Sequence, residues 1–155
     1  MSVDAVPSGG AASSPGFRLR TGCVTVLLGP DAVRRGLLGQ LDGGSRGPCG
    51  RPAGILTVTS GRARTATERI SALVQAAEQR PSLVVVDRVT DGLTAADRRV
   101  VLAGVRALAA AGPAVLVDDV DPVAALAVAD GALRADADGS LRTEELRAPA
   151  DPTAS

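Results

Sequence analysis

The chain has 155 residues, with seventeen acidic and seventeen basic side chains, every basic one an arginine; lysine and histidine are absent. That length suits one domain with a real core, and Phe17 is the only aromatic residue, so the core must be aliphatic and stacking platforms for single-stranded nucleic acid are excluded. A formal net charge of zero gives no electrostatic steering toward nucleic acid or anionic membranes.

Residues 1–16 are small, polar and rich in Pro and Gly, which predicts a disordered segment. The stretch MSVDAVPSGG has no basic start and no apolar run, so it does not read as a signal peptide. Phe17–Arg20 predicts a short strand and Gly22 a turn. Cys23, beside the next strand, and Cys49, in a Gly/Pro loop, are no disulfide framework; one buried and one loop thiol are expected. Val24–Leu28 is an apolar run of the kind buried in a parallel sheet. Ala32–Leu41 reads as a helix, Asp42–Gly54 as a loop, and Ile55–Thr59 as a second strand.

Thr65–Gln79 carries Ile70, Leu73, Val74 and Ala77 at the spacing of one helix face. Pro81 opens the strongest strand, Leu83–Val86, ending at Asp87. Thr94 caps a helix running to about Ala111, stopped by Gly112-Pro113. Ala114–Val117 is a further strand and Pro122–Ala129 a short helix. Ala132–Ala135 and Ser140–Arg142 flank Asp138-Gly139, a hairpin signal. The tail 148–155 is expected to be flexible. The longest apolar stretch, Ala107–Val117, is too short to span a bilayer and is interrupted by Gly112-Pro113. The arginine and alanine bias points to a GC-rich bacterial genome, and a cytoplasmic location is expected.

Strands alternating with helices predict a three-layer, mainly parallel α/β domain over 17–147, closed by a C-terminal β-hairpin. Ligands in such sheets bind at the carboxyl ends of the strands. There, the frame GxxxxGK[ST] of a phosphate-binding loop falls on Gly29, Pro30, Asp31, Ala32, Val33, Arg34, Arg35 and Gly36. In that frame backbone N–H groups wrap the phosphates, a lysine reaches them and a hydroxyl binds Mg²⁺. Only the first glycine is kept; Arg34 replaces the second, Arg35 the lysine and Gly36 the hydroxyl residue.

Three segments in order resemble the nucleotide-binding domain of ABC transporters, a P-loop NTPase family. GCVTVLLGPDAVRRGLL resembles the family's G-x-x-x-x-L-x-G-P-N-G-x-G-K-S-T-L. QRPSLVVVDRVTDGLTAADRRVV resembles R-P-x-x-L-L-L-D-E-P-T-x-G-L-D, and GPAVLVDDVDPVAALAVADGAL resembles G-x-T-V-L-x-x-T-H-D with its trailing A-D-R-V. The resemblance implies a vestigial Mg²⁺-side carboxylate at Asp87. It also sets Arg88 at the catalytic glutamate, Val120 at the switch histidine and Thr94 at the aspartate closing the G-L-D turn. Arginine stays protonated and cannot take a proton from water. In SGRARTAT (Ser60–Thr67) neither a glutamine loop nor an L-S-G-G-Q signature is recognisable. The 58-residue step from Gly29 to Asp87 is about half the family's, so the helical subdomain is expected to be largely missing.

With lysine, hydroxyl, glutamate and histidine positions all changed, hydrolysis is expected to be lost; one such stabilising contact is worth ~3–4 kcal/mol of barrier. No catalytic residue or metal site is assigned, and ATP and Mg²⁺ stand only as weak cofactor candidates. The resemblance implies an accessory or regulatory partner of an intact ABC ATPase subunit or membrane permease, with membrane contact only through that partner. Two alternatives remain: a nucleotide- or anion-binding module without turnover, and the weak half of a heterodimeric ATPase. Taken alone, Arg34 and Arg35 read as solvated, and Asp87 as a turn cap or a partner of an arginine such as Arg88. Asp118–Asp121 reads as a solvated connection in which Asp121 caps the next helix. Arg98, Arg99 and Arg106 read as the exposed side of a helix.

Overall fold

In the computed structural model, which describes residues 2–5, 17–42 and 54–146, strands and helices alternate along the chain. The elements are β1 (Ser2–Ala5), β2 (Phe17–Arg20), β3 (Val24–Leu28), α1 (Asp31–Asp42), β4 (Ile55–Thr59), α2 (Ala66–Glu78), β5 (Leu83–Asp87), α3 (Ala95–Ala110), β6 (Ala114–Asp118), α4 (Pro122–Val128), β7 (Gly131–Ala135) and β8 (Leu141–Glu145). One six-stranded sheet has the order β4-β5-β6-β3-β7-β8, parallel throughout except for the β7–β8 hairpin. This is the α/β, mainly parallel architecture that the alternating pattern predicts.

The central strands are apolar on both faces because helices cover both. Val84 and Val86 of β5 face one layer with Val101, Val105 and Leu108 of α3 and Leu73 of α2. Leu83 and Val85 face the other, with Leu37, Leu38 and Leu41 of α1 and with Phe17 and Leu19 of β2. Each fully buried Leu, Val or Phe contributes about 1.5–3 kcal/mol of transfer free energy, so the alternating faces of β3, β5 and β6 hold the three layers together.

Between β4 and β5 there is a single helix, α2. A helical subdomain is accordingly missing from that crossover, as the short spacing implies. The α2 helix starts at a capping box: Thr65 Oγ1 accepts from Glu68 N, and the Glu68 carboxylate accepts from Thr65 N. Thr94 caps α3 by a single bond, its hydroxyl accepting from Asp97 N, and Asp121 caps α4 through Ala124 N. The hairpin turns at Asp136–Ser140, where Gly139 takes φ 86° and Asp136 N donates to Ser140 O.

One expectation is corrected here. Residues 1–16 do not all lack regular structure, because Ser2–Ala5 pairs antiparallel with β2, Ser2 opposite Arg20 and Ala5 opposite Phe17. Hydrophobic patterning does not announce a four-residue strand whose stability comes from a partner beyond a Pro/Gly-rich stretch. The expectations for 6–16, for most of the Asp42–Gly54 loop with Cys49, and for 148–155 fall outside the described residues. Cys23 is half-buried.

Candidate functional site

The carboxyl ends of β3, β5 and β6 meet beside the first turn of α1. In the parallel register Asp87, the last residue of β5, lies opposite Asp118, the last of β6. Adjacent parallel strands run about 4.8 Å apart, so two carboxylates stand side by side. Asp118 is 1% exposed at its side chain and Asp87 22%. Such a pair repels, and burial opposes ionisation of Asp118.

Arg34 and Arg35 supply the compensating charge. The Arg34 guanidinium donates through Nη1 to Asp118 Oδ1, through Nε to Gly29 O at 3.0 Å and through Nη2 to Asp31 Oδ1 at 3.2 Å. Arg35 grips Asp87 with two bonds of 3.0 and 3.2 Å and reaches Asp118 Oδ2 at 2.5 Å with Nη2. One guanidinium therefore bridges both strand-end carboxylates, using the fork geometry that a lysine lacks. Burial pushes the Asp118 carboxyl above its usual range; Arg34 and Arg35 pull it down without fully offsetting burial, and Asp87 adds to the rise. The hydrogen bond to Asp87 holds the Arg35 guanidinium pKa above its ordinary value.

The loop that would wrap phosphate is absent as a loop. Helix α1 opens at Asp31, directly after Pro30, and Arg34 N already donates to Pro30 O at 3.0 Å as a helical bond. Asp31, Ala32 and Val33 thus lie in the first helical turn, with Asp31 and Ala32 exposed and Val33 half-buried. Gly36 is exposed, with open space where a side chain would point. Gly29 has a reason to be glycine that involves no ligand: its φ is 132°, and a Cβ there would lie 2.2 Å from Ala135 O of β7.

The sequence-predicted residues Gly29, Pro30, Asp31, Ala32, Val33, Arg34, Arg35, Gly36 and Asp87 are therefore brought to one place, but most roles differ. Arg34 and Arg35 are not solvated; their side chains are 18% and 33% exposed and both are held in ion pairs. The partner of Asp87 is Arg35 and not Arg88. Arg88 sits at φ 53°, donates its N–H to Asp118 O at 2.7 Å and turns its side chain out to within 3.7 Å of Asp31. Asp118 and Asp119 are not a solvated connection, since both are buried. Asp119 Oδ1 accepts from the buried Thr90 hydroxyl at 2.6 Å and from Asp121 N.

Sequence reasoning missed Asp118 as a site residue. The signal was present: LVVVD and AVLVD both end on aspartate, and neighbouring parallel strands of equal length place those ends together. It missed Arg69 as well, a 6%-exposed arginine that donates to the carbonyls of Ala63, Val89 and Asp91 and pins the turn after β5. Arg98 and Arg106 are also more than surface cover. Arg98 pairs with Asp121 at 3.0 Å, tying α3 to the start of α4. Arg106 pairs with Asp130 at 2.5 Å, and Asp130 in turn accepts from Val24 N.

These residues do not fit Mg²⁺-ATP. The cradle is helix, the lysine position is an arginine turned inward, Gly36 offers no hydroxyl, and Asp87 is already held by Arg35. Among the described residues no group of three Cys, Asp or Glu side chains is placed to hold a metal ion. No helix among them is long and apolar enough to cross a membrane.

A mainly parallel sheet with α1 on one face, α2 to α4 on the other and a strand-to-helix turn at the switch in strand order is the fold class of P-loop NTPases. Within that class the chain has the fold of ATP-binding cassettes. A nucleotide-free ATP-binding cassette from an ABC transporter matches 84% of this chain and 83% of its own at TM-score 0.66 and 11% identity. An ATP-binding subunit of an ABC transporter matches 94% and 90% at TM-score 0.61 and 11% identity. The ADP conformation of an ATP-binding cassette of an ABC transporter matches 77% and 78% at TM-score 0.59 and 12% identity. No family model matches the sequence, and no curated protein does.

Proposed function

We propose that this chain is a hydrolysis-silent ATP-binding-cassette-like protein that acts as an accessory or regulatory partner of a transport ATPase or its permease. The observation carrying the first half is the helical first turn of α1, whose two arginines are spent on Asp87 and Asp118. Phosphoryl transfer relies on positioned charge and on a group orienting the attacking water. Here the charges neutralise one another, and Arg88 stands where that orienting carboxylate is implied. The second half rests on the fold: the matched structures are ATP-binding parts of ABC transporters, which makes a transport complex the natural setting and membrane contact indirect.

Phosphate release from ATP by highly purified protein is expected to stay at the buffer rate, with or without Mg²⁺. Turnover that disappears in Asp87→Ala would overturn this reading. The triple change Arg34→Gly, Arg35→Lys, Gly36→Ser is expected to gain no calorimetric heat with Mg²⁺-ATP, because Asp118 still occupies the turn. Co-purification with an intact ABC ATPase subunit or permease tests the partner. Its absence from both, when the chain is expressed with its neighbouring genes, would remove the accessory role.

A further inference from the structure

The arginine pair converges on a single carboxylate. Arg34 meets Asp118 Oδ1 and Arg35 meets Asp118 Oδ2, so each oxygen of one buried anion has its own guanidinium. The anion lies beside the first turn of the twelve-residue helix α1, where the macrodipole also favours negative charge. Arg35 Nε is buried and has no hydrogen-bond partner, with the Asp31 carboxylate 3.9 Å away, so the cluster keeps an unused donor. Arg34, Arg35 and Arg88 stand against Asp31, Asp87 and Asp118. Removing Asp118 alone leaves this group with one positive charge in excess.

We propose that Arg34 and Arg35 form an oxyanion site whose resident ligand is the Asp118 carboxylate, supplied by the chain itself, and that the site takes a phosphate-type oxyanion only when that carboxylate is gone. The inference rests on the hydrolysis-silent reading in one respect: it takes the β3–α1 turn as the place where a phosphate would otherwise sit. It goes further in naming the occupant and the size of ligand. Because α1 is helical from Asp31, the site has room for one tetrahedral anion and no cradle for a triphosphate chain.

The test is melting and calorimetry of wild type, Asp118→Asn and Asp118→Ala with inorganic phosphate against chloride at equal ionic strength. Wild type is expected to show no phosphate-specific shift. Asp118→Asn, which keeps the shape, and Asp118→Ala are each expected to gain a rise in melting midpoint of about 5 °C at saturating phosphate. Adding Arg34→Ala to Asp118→Ala should abolish that gain. ATP should bind Asp118→Ala within about threefold of inorganic phosphate, since only one phosphate group is held. Phosphate stabilisation of wild type equal to that of Asp118→Asn, or no stabilisation of either folded variant, would overturn the proposal. So would an ATP affinity tenfold or more above that of phosphate.

If neither variant folds, the Arg34 and Arg35 side-chain N–H resonances of wild type decide the matter. They should stay in place through a millimolar phosphate titration, and their displacement would refute an occupied site. None of these outcomes depends on whether wild type hydrolyses ATP, so failure here and failure of the hydrolysis-silent reading are separable.

Discussion

Helices α1 and α2 both leave the carboxyl end of a strand, yet their first turns are secured by opposite means. At α2 the Thr65–Glu68 box closes the turn with residues three apart. At α1 the helix opens with Asp31, which the helix dipole favours, and then brings Arg34 and Arg35, which it disfavours. It is held by Asp87, 52 residues from Arg35, and by Asp118, 84 residues from Arg34. The α2 start is thus a local device that forms with the helix. The α1 start exists only once β5 and β6 are in register, and a turn of that kind has its charges assigned before any ligand arrives.

The most forceful way to break the contrast is the double change Arg34→Ala, Arg35→Ala. It leaves Asp118 buried without a counter-charge and should lower stability by about 3–5 kcal/mol in urea unfolding at neutral pH. The loss should shrink on acidification. The folded-state pKa of Asp118 is already raised, and losing both arginines raises it further. The folded protein then binds a proton that the unfolded chain has released, so stability falls as pH rises from the unfolded carboxyl pKa through the folded one. An unfolding midpoint insensitive to pH across the acid range would contradict the buried-carboxylate account.

Gly29→Ala sharpens the comparison by testing the turn without touching a charge. A Cβ at φ 132° meets the Ala135 carbonyl, and a loss of about 2–3 kcal/mol is expected by thermal unfolding. At α2, Thr65→Ala removes the local cap and should cost about 1 kcal/mol. Because two backbone N–H bonds hold the Glu68 carboxyl below its usual pKa, the capping contribution is present at neutral pH and is lost as pH falls through that depressed value. The smallest effect is expected from Arg20→Ala, which removes an ion pair to Glu145 between side chains 53% and 68% exposed. A change of about 0.5 kcal/mol or less, vanishing in high salt, would set the scale for pairs that are not buried.

The same contrast explains what was legible in the sequence. Helix α2 and the strands β3 to β6 follow from short-range pattern and turn chemistry, and the structure has them within a residue or two. The three-layer parallel order follows from their alternation. The site was legible as a place but not as a set of contacts. The frame Gly29–Gly36 was found, yet Arg34 and Arg35 read as solvated because their partners are fixed by strand register and not by spacing. Asp118 was hidden in the run Asp118-Asp119-Val120-Asp121, where three similar aspartates have three different fates: Asp118 is buried against two arginines, Asp119 is buried against the Thr90 hydroxyl, and Asp121 caps α4. Gly29 looked like the remnant of a phosphate loop, and its contact with Ala135 depends on a strand more than a hundred residues downstream.

The pairing of β3 bears on how the molecule is made. Its strand neighbours are β6 and β7, so Val24–Leu28 has no partner in this sheet until the ribosome has passed Asp118, and lacks the second until it has passed Ala135. At about 5–20 residues per second the nascent segment waits roughly 5–20 s, with Leu27 and the leucines of α1 still open to chaperones. Assembly of the central strand therefore follows synthesis of β6, and the arginine–aspartate lock beside it closes only after Asp118 has been made.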